Sequence, residues 1–370
     1  MKKQNRIVFT FISIVLGLLI GGIVLKLSGV SPYEAYKVII LGAFGQPKYI
    51  SWTLIRAVPI ILTGISVAFA FRTGLFNIGA EGQYIVGTIG AVMAGVLFNL
   101  PPVIHAIVAI LCGALFGAIW GGLVGLFKAK FKVNEVISSI MLNWTALYLN
   151  NYVLTFASIR MPESDFSYSI ADSASIKILA DWRVSEAGLE FLSGHPFIKG
   201  FLSAPVNWGL IIAPLIAILA YYILKNTTLG YQLKAVGFNR DAAEYGGINI
   251  QKNVMRAMMI AGAFSGLAGA TQVLGVVGNI GILAAQQNMG FDGIAVALIA
   301  GNNPLACILS GTFFAGLKYG GGKLNTINVP SEIINIIIGI IVLFISMPTL
   351  IGFFTKIFKK KDVKEVKTDA

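Results

Sequence analysis

Charged and amide side chains crowd into an apolar neighbourhood at Phe71-Arg72-Thr73-Gly74-Leu75-Phe76-Asn77-Ile78-Gly79-Ala80-Glu81-Gly82-Gln83. A carboxylate flanked by two amides has the chemistry to hold a cation, to hydrogen-bond a polar solute or to clamp backbone amides. An acid placed centrally among apolar helices costs about 2.5–3.5 kcal/mol, so Asn77, Glu81 and Gln83 need compensation. Two arrangements would supply it: Glu81 pairs with Arg72 or Arg56 or caps a positive helix N-terminus beside a tight glycine turn, or the segment lines a polar pathway or gate. The two are compatible. A second polar stripe follows Asn134, where Glu135, Ser139, Asn143 and Asn150 fall at helical spacing with Trp144 beside them. In lipid such a stripe faces the interior of a bundle, as interhelical glue or as a lining for a polar solute. Gln272, Asn279, Gln286, Gln287, Asn288 and Asp292 extend the polar theme further along the chain.

Catalytic and metal chemistry find few candidates. His105 and His195 are the only histidines, one near a helix start after Pro101-Pro102 and the other in a polar loop. No zinc-protease or nucleophile-elbow motif occurs. The nearest imitation of a phosphate loop, Gly311 to Lys318, has Leu317 between its second glycine and the lysine and lies in an apolar run. Cys112 and Cys307 lack metal-ligand spacing. No catalytic residue, metal ligand or bound cofactor is expected on this chain, and any ATP hydrolysis belongs to another polypeptide.

The elements that must position these residues are membrane spans. The 370 residues are 56% hydrophobic and 12% charged, with mean hydropathy +0.80. That composition belongs in a bilayer, where a spanning helix needs about 20 apolar residues. Apolar runs predict spans near 7–29, 50–71, 78–98, 103–127, 135–157, 207–225, 255–277 and 331–354. The first is read as an uncleaved span, since no small-x-small cleavage site follows it. Between the last two, Phe291–Ala300 and Leu305–Leu317 flank Gly301-Asn302-Asn303-Pro304 and form either two short spans or a re-entrant hairpin. The expected fold is an all-α polytopic membrane protein of about ten transmembrane helices, with residues 1–355 as a single membrane domain. Glycines four apart, at Gly113, Gly117, Gly121 and Gly125, predict a groove for a neighbouring backbone; Gly262, Gly266 and Gly269, and Gly17 and Gly21, predict the same elsewhere.

The net charge of +12 does not suggest nucleic acid, because the basic residues sit in short runs beside apolar stretches. Placing both termini inside puts 18 of the 28 basic residues in cytoplasmic segments: Lys2, Lys3 and Arg6, Arg72, the lysines at 128, 130 and 132, then Lys225, Lys234, Arg240, Lys252 and Arg256, and the six lysines from Lys356 on. The topology is therefore N-in and C-in. Residues 356–370 form a basic cytoplasmic tail that anchors on anionic lipid. The external loop 158–206 is long enough to cover the outer mouth and receive a partner. The cytoplasmic loop 226–253 carries a short helix capped by Asn239, with Asp241 in its first turn and Gly246-Gly247 as its stop.

Three stretches resemble a known family. Gly74 to Gln83 is similar to the signature of permease subunits in the branched-chain amino acid, ribose and nucleoside group of ABC importers, and in particular its nucleoside (simple-sugar) branch. Thr228-Leu229-Gly230-Tyr231 with Lys234 to Ile248 resembles the family's coupling-helix region, and Gly290 to Leu298 with Gly301 to Pro304 adds a third match. The position between Gly237 and Asn239, often acidic in the family pattern, is Phe238 here. The resemblance implies a permease of the bacterial cell membrane that pairs with a second, homologous permease, a cytoplasmic ATPase with two nucleotide-binding halves that holds the ATP, and a substrate-binding lipoprotein delivering nucleosides. It implies coupling to the ATPase through Gly237, Asn239, Asp241, Ala242, Ala243, Gly246 and Gly247. Asn77, Glu81, Gln83, Glu135, Ser139, Asn143 and Asp292 would then lie on the translocation pathway or gate. The rival readings are an ion-coupled secondary transporter using Glu81, Glu135 or Asp292, and an ABC importer permease for ribose or another sugar.

Overall fold

Apolar runs of span length become helices because only a fully hydrogen-bonded backbone is tolerated in lipid. The computed structural model describes residues 3–347. The end of the expected span 331–354 and the basic tail 356–370 lie outside the described residues, as do Met1 and Lys2. Among the described residues there is no β-strand, only isolated bridges in loops.

In chain order the first helices are α1 (Lys3–Leu27), α2 (Pro32–Phe44), α3 (Pro47–Phe71), α4 (Ala80–Leu97), α5 (Ile104–Phe131) and α6 (Glu135–Val153). The 158–206 loop contains α7 (Glu186–Ser193) and α8 (Pro196–Leu202). Then come α9 (Gly209–Asn226), α10 (Thr228–Phe238), α11 (Arg240–Tyr245), α12 (Ile250–Gln272), α13 (Met289–Ile299), α14 (Ala306–Gly321) and α15 (Ile333–Ser346). Among the described residues six helices are long and apolar enough to cross a membrane: α1, α3, α4, α5, α9 and α12, the last continuing as a π-helical turn to Val277. The helix α6, expected as a span, has the length at 19 residues, but its serines, threonine and asparagines leave it too polar to qualify on composition. The expected run near 291–317 resolves into α13 and α14, and α2 was not expected.

The chain divides into two compact units. One comprises the described parts of Met1–Gly42 and Leu317–Ala370. There α1 packs on α15, with Gly17 against Ile341 and Gly21 against Ile337, and the Tyr36 hydroxyl donates to the Leu18 carbonyl.

The other unit is Ala43–Gly316. Its central seam joins α5 and α12 backbone to backbone. A Cβ added at Gly117 would fall 2.6 Å from Cα of Gly266, and one at Gly125 would fall 2.9 Å from Cα of Met255. The glycine row of α5 and that of α12 are thus two sides of one interface, and Gly87 of α4 joins it against Gly266. The outward face of α5 is aliphatic, with Ile107, Leu111, Leu115 and Ile119 all exposed.

At the end of α12 the π-helical turn opens carbonyls that the 158–206 loop satisfies. The amide of Ile176 donates to Leu274 at 3.1 Å, Ile170 to Gly278 at 2.9 Å and Ser167 to Ile280 at 2.8 Å. His105 ties this loop to α4, its ring nitrogens lying 2.8 Å from Ser173 Oγ and 3.0 Å from the Ala94 carbonyl. Ala91, Ala94, Ala109, Ala174, Ile176, Ala270 and Leu274 form the apolar core beneath.

Candidate functional site

The turn at the end of α3 sends the chain back into the bundle before α4 begins. Asn77 is fully buried and its amide donates to Ser66 Oγ at 3.0 Å, so it already lies more than a turn inside the end of α3. Asn77 and Gln83 form a reciprocal amide pair, with Nδ2 to Oε1 at 2.9 Å and Nε2 to Oδ1 at 3.0 Å. Ser66 in turn donates to the Ala261 carbonyl of α12 at 2.6 Å. Neither primary amide is left without partners, which is what burial requires.

Glu81 is 0% exposed and its carboxylate accepts from the backbone amides of Asn288 and Gly290, each at 2.7 Å. It therefore caps a helix N-terminus, that of α13, from more than 200 positions earlier in the chain. It also sits in the first turn of α4, so two positive helix ends converge on one carboxylate. Each such end stabilises an anion by up to about 2 kcal/mol in partly buried geometry, and charge-assisted hydrogen bonds add to it. Together these offset the cost of an acid at this depth. Gly290 is needed for the approach, since a Cβ there would run into the backbone of Glu81.

Depth follows from α3. Thr63 Oγ1 donates to the Met289 carbonyl at 2.9 Å, and Gly293 packs on Thr63. At 1.5 Å per residue Thr63 lies about 12 Å from the end of α3 at Phe71. The other end of α13 reaches that terminus, where Arg72 Nε donates to the Asn302 carbonyl at 3.0 Å. Thus α13 is a half-helix, and residues 278–288 cover the remaining depth without helical structure.

Helix α6 closes the site from a third side. Asn143 Oδ1 accepts from the Gly82 amide at 2.9 Å and Nδ2 donates to the Ile78 carbonyl at 3.1 Å. Ser139 is buried next to Gly79 with no hydrogen-bond partner among the described residues. Asn77, Glu81, Gln83, Ser139 and Asn143 therefore come together, with Asp292 in the first turn of α13. Glu135 does not join them: it pairs with Lys128 at 2.6 Å at the start of α6. Among the described residues no three His, Cys, Asp or Glu side chains converge to hold a metal.

The 226–253 loop meets the site at one point. The last turn of α10 lies backbone to backbone on the turn after α3: a Cβ at Gly74 would sit 3.4 Å from Cα of Gly237, and one at Gly237 would strike the Arg72 carbonyl. Beyond it α11 forms as its capping residues dictate. Asn239 Oδ1 accepts from the Ala242 amide at 3.0 Å, Gly246 ends the helix, and Gly247 follows at φ +78°. Ala243 and Ala242 lie in this helix with Asp241 in its first turn, while Phe238 and Tyr245 stand almost fully exposed.

Two partners escaped the sequence reading. Ser66 and Thr63 are hydroxyls in an apolar helix, with no spacing that marks them out. The break at 278–288 did leave a signal, since Gly278, Gly281 and Gln286-Gln287-Asn288 interrupt an apolar run.

The family model described as "Branched-chain amino acid transport system / permease component" matches residues 49–346. The guanosine ABC transporter permease protein NupP of Bacillus subtilis is 38% identical, over 97% of this chain and 99% of its own length. The nucleoside ABC transporter permease protein NupB of Lactococcus lactis is 30% identical over 95% of this chain and 93% of its own. A glucose ABC transporter permease of Haloferax volcanii is 31% identical over 90% and 85%.

Proposed function

This chain belongs to the branched-chain amino acid transport permease family of ABC transporters, a multi-pass protein of the cell membrane, and on that premise we propose that it forms one half of the pore of an ATP-driven nucleoside importer. The observation that carries the substrate is the similarity to the guanosine permease, which extends over nearly the whole of both chains. The second permease, an ATPase with two nucleotide-binding halves and a substrate-binding lipoprotein complete the importer. ATP is bound and hydrolysed on the ATPase, and this chain holds no cofactor of its own.

The end of the bundle that carries α10 and α11 faces the cytoplasm, with both chain termini on the same side. The lysines and arginines supporting this orientation include Arg72, Lys128, Lys130, Lys132, Lys225, Lys234, Arg240, Lys252 and Arg256. Counting α6, α13, α14 and α15 with the six apolar helices gives about ten crossings. The 158–206 loop faces outward and receives the lipoprotein.

Coupling runs through the segment around Gly237, Asn239, Asp241, Ala242, Ala243, Gly246 and Gly247. Movement of the ATPase displaces α11 and α10, and the contact of Gly237 with Arg72 and Thr73 passes that displacement to the turn before Asn77. The polar cluster of Asn77, Glu81, Gln83, Ser139 and Asn143 acts there as a gate brace, with Asp292 beside it. Because the link from Glu81 to α13 consists of two hydrogen bonds, it can part and re-form between outward and inward openings.

A sugar is the second reading, favoured by the glucose permease relative. Radiolabelled guanosine, ribose and leucine uptake in a strain lacking this chain separates them: guanosine uptake is expected to be lost, and loss of ribose or leucine uptake alone defeats the nucleoside assignment. In the complete importer, Ala243→Pro removes the Ala243 amide that bonds the Asn239 carbonyl at 3.1 Å. It should abolish uptake while the chain still inserts.

A further inference from the structure

Resting on the permease reading above, we infer that the outward face of α6, together with the irregular segment 284–288, is the wall of the translocation pathway and that it takes the planar base of the solute. Irregular backbone at membrane depth is tolerated only where it is buried in protein or lines a water-filled cavity. The 284–288 segment is not buried: Ala284, Ala285, Gln287 and Asn288 are exposed and Gln286 is partly so. Yet both of its ends are tied to the bundle, one of them at depth. At one end the amides of Asn150 and Asn151 donate to the Gly281 and Leu283 carbonyls, each at 2.9 Å, and the Leu283 amide returns to Asn151 Oδ1 at 2.8 Å. At the other, Glu81 holds Asn288 and Gly290 about 12 Å inside the end of α3. An exposed, amide-rich stretch held there suits a water-filled cavity and not lipid.

The helix beside it has matching chemistry. Pinned at Asn150–Asn151 and at Asn143, α6 runs alongside this segment and turns outward Trp144, Tyr148 and Tyr152, which are 47%, 64% and 60% exposed. Successive i,i+4 positions place them in one row about 12 Å long. The rings of Trp144 and Tyr148 are roughly parallel, with centroids 6.4 Å apart. On α5 the corresponding exposed row is Ile107, Leu111, Leu115 and Ile119, the composition expected against lipid. Tyrosine and tryptophan in lipid gather at the two interfaces, whereas this row begins at Trp144, the midpoint of α6, and runs from there to Tyr152 near its end, on a helix less apolar than the six spans. Aromatic faces with exposed hydroxyls provide stacking for a planar heteroaromatic ring, and Gln286, Gln287 and Asn288 provide amides for its edge and for ribose hydroxyls. The buried cluster at Glu81 then stands behind the wall and holds it in place.

The test uses the complete importer in cells, with Cys112 and Cys307 replaced by alanine. Tyr148→Cys, Gln287→Cys, Leu111→Cys and Leu115→Cys are treated with a charged, water-soluble thiol reagent, with and without guanosine. Tyr148→Cys and Gln287→Cys should be modified and protected by guanosine, and the two α5 variants should stay unmodified. Modification of the α5 pair in place of the α6 pair overturns the wall assignment whatever the solute is. Modification of the α6 pair without protection, while guanosine is still transported, overturns the base contact. Absence of guanosine transport with the modification pattern retained defeats the nucleoside reading and leaves the wall assigned. In uptake kinetics Tyr148→Ala should raise KM about tenfold, while Tyr148→Phe, which keeps the ring, should change it less than about threefold.

Discussion

Two junctions within the 43–316 unit bring backbones close at glycines, and they differ in the polar bonds added to that packing. Between α5 and α12 small residues let the backbones touch, so attraction comes from many dispersion contacts and any added atom is a clash. Where α4, α6 and α13 meet, close approach at Gly82 and Gly290 is joined by a few directional bonds from Glu81, Asn143, Asn77 and Gln83. A close-packed seam has one good arrangement and transmits force as a rigid body. A junction of a few hydrogen bonds has discrete closed and open states. The first suits a frame and the second suits a moving part.

The sharpest way to break this comparison is to put a side chain into the seam. Gly117→Val places its Cβ against the Gly262 carbonyl and 2.6 Å from Cα of Gly266, with no flexible side chain to give way. Overpacking of about 3 kcal/mol or more is expected, and immunoblots of membranes should show little or no inserted chain. If Gly117→Val accumulates normally and transports, the seam is not a rigid frame.

A smaller effect with a different signature is expected at the polar junction. Glu81→Ala leaves the amides of Asn288 and Gly290 without an acceptor, at about 1–3 kcal/mol each. The chain should still insert, with a lowered Tm in detergent and guanosine uptake reduced more than about tenfold per inserted molecule. Glu81→Gln keeps one acceptor oxygen and should fall between. Full uptake by Glu81→Ala would remove the junction from the moving part.

The smallest effect belongs to the outward face of α5. Leu111→Ala shortens a side chain that is 60% exposed and should change Tm and uptake little, with about 0.5 kcal/mol as an upper bound. A Leu111→Ala defect approaching that of Glu81→Ala would mean that this face is covered by protein and not by lipid.

Much of the frame was legible because its signals are local. Glycines four apart on α5 announced a helix seam, Asn239 and Gly246-Gly247 fixed both ends of α11, and apolar runs located α1, α3, α4, α5, α9 and α12 within a few residues. The polar residues of α6 were correctly turned inward at Ser139, Asn143 and Asn150. The partner of Glu81 was not legible, because a carboxylate and a helix N-terminus separated by most of the chain carry no shared period. Nor did spacing place Glu135 apart from the others, with Lys128 as its partner.

The sequence by itself determined that this chain belongs in a bilayer, where its long apolar helices lie and how α11 is capped, since hydropathy, glycine spacing and capping act over a turn or a span. Tertiary structure alone decided that the 278–299 stretch is half helix and half irregular chain, that Glu81 closes that break, and that Gly237 touches the turn before Asn77. Glycines and amides mark the break itself, but its contacts are made to backbone groups that nearly every residue carries, so spacing does not reveal which segments meet.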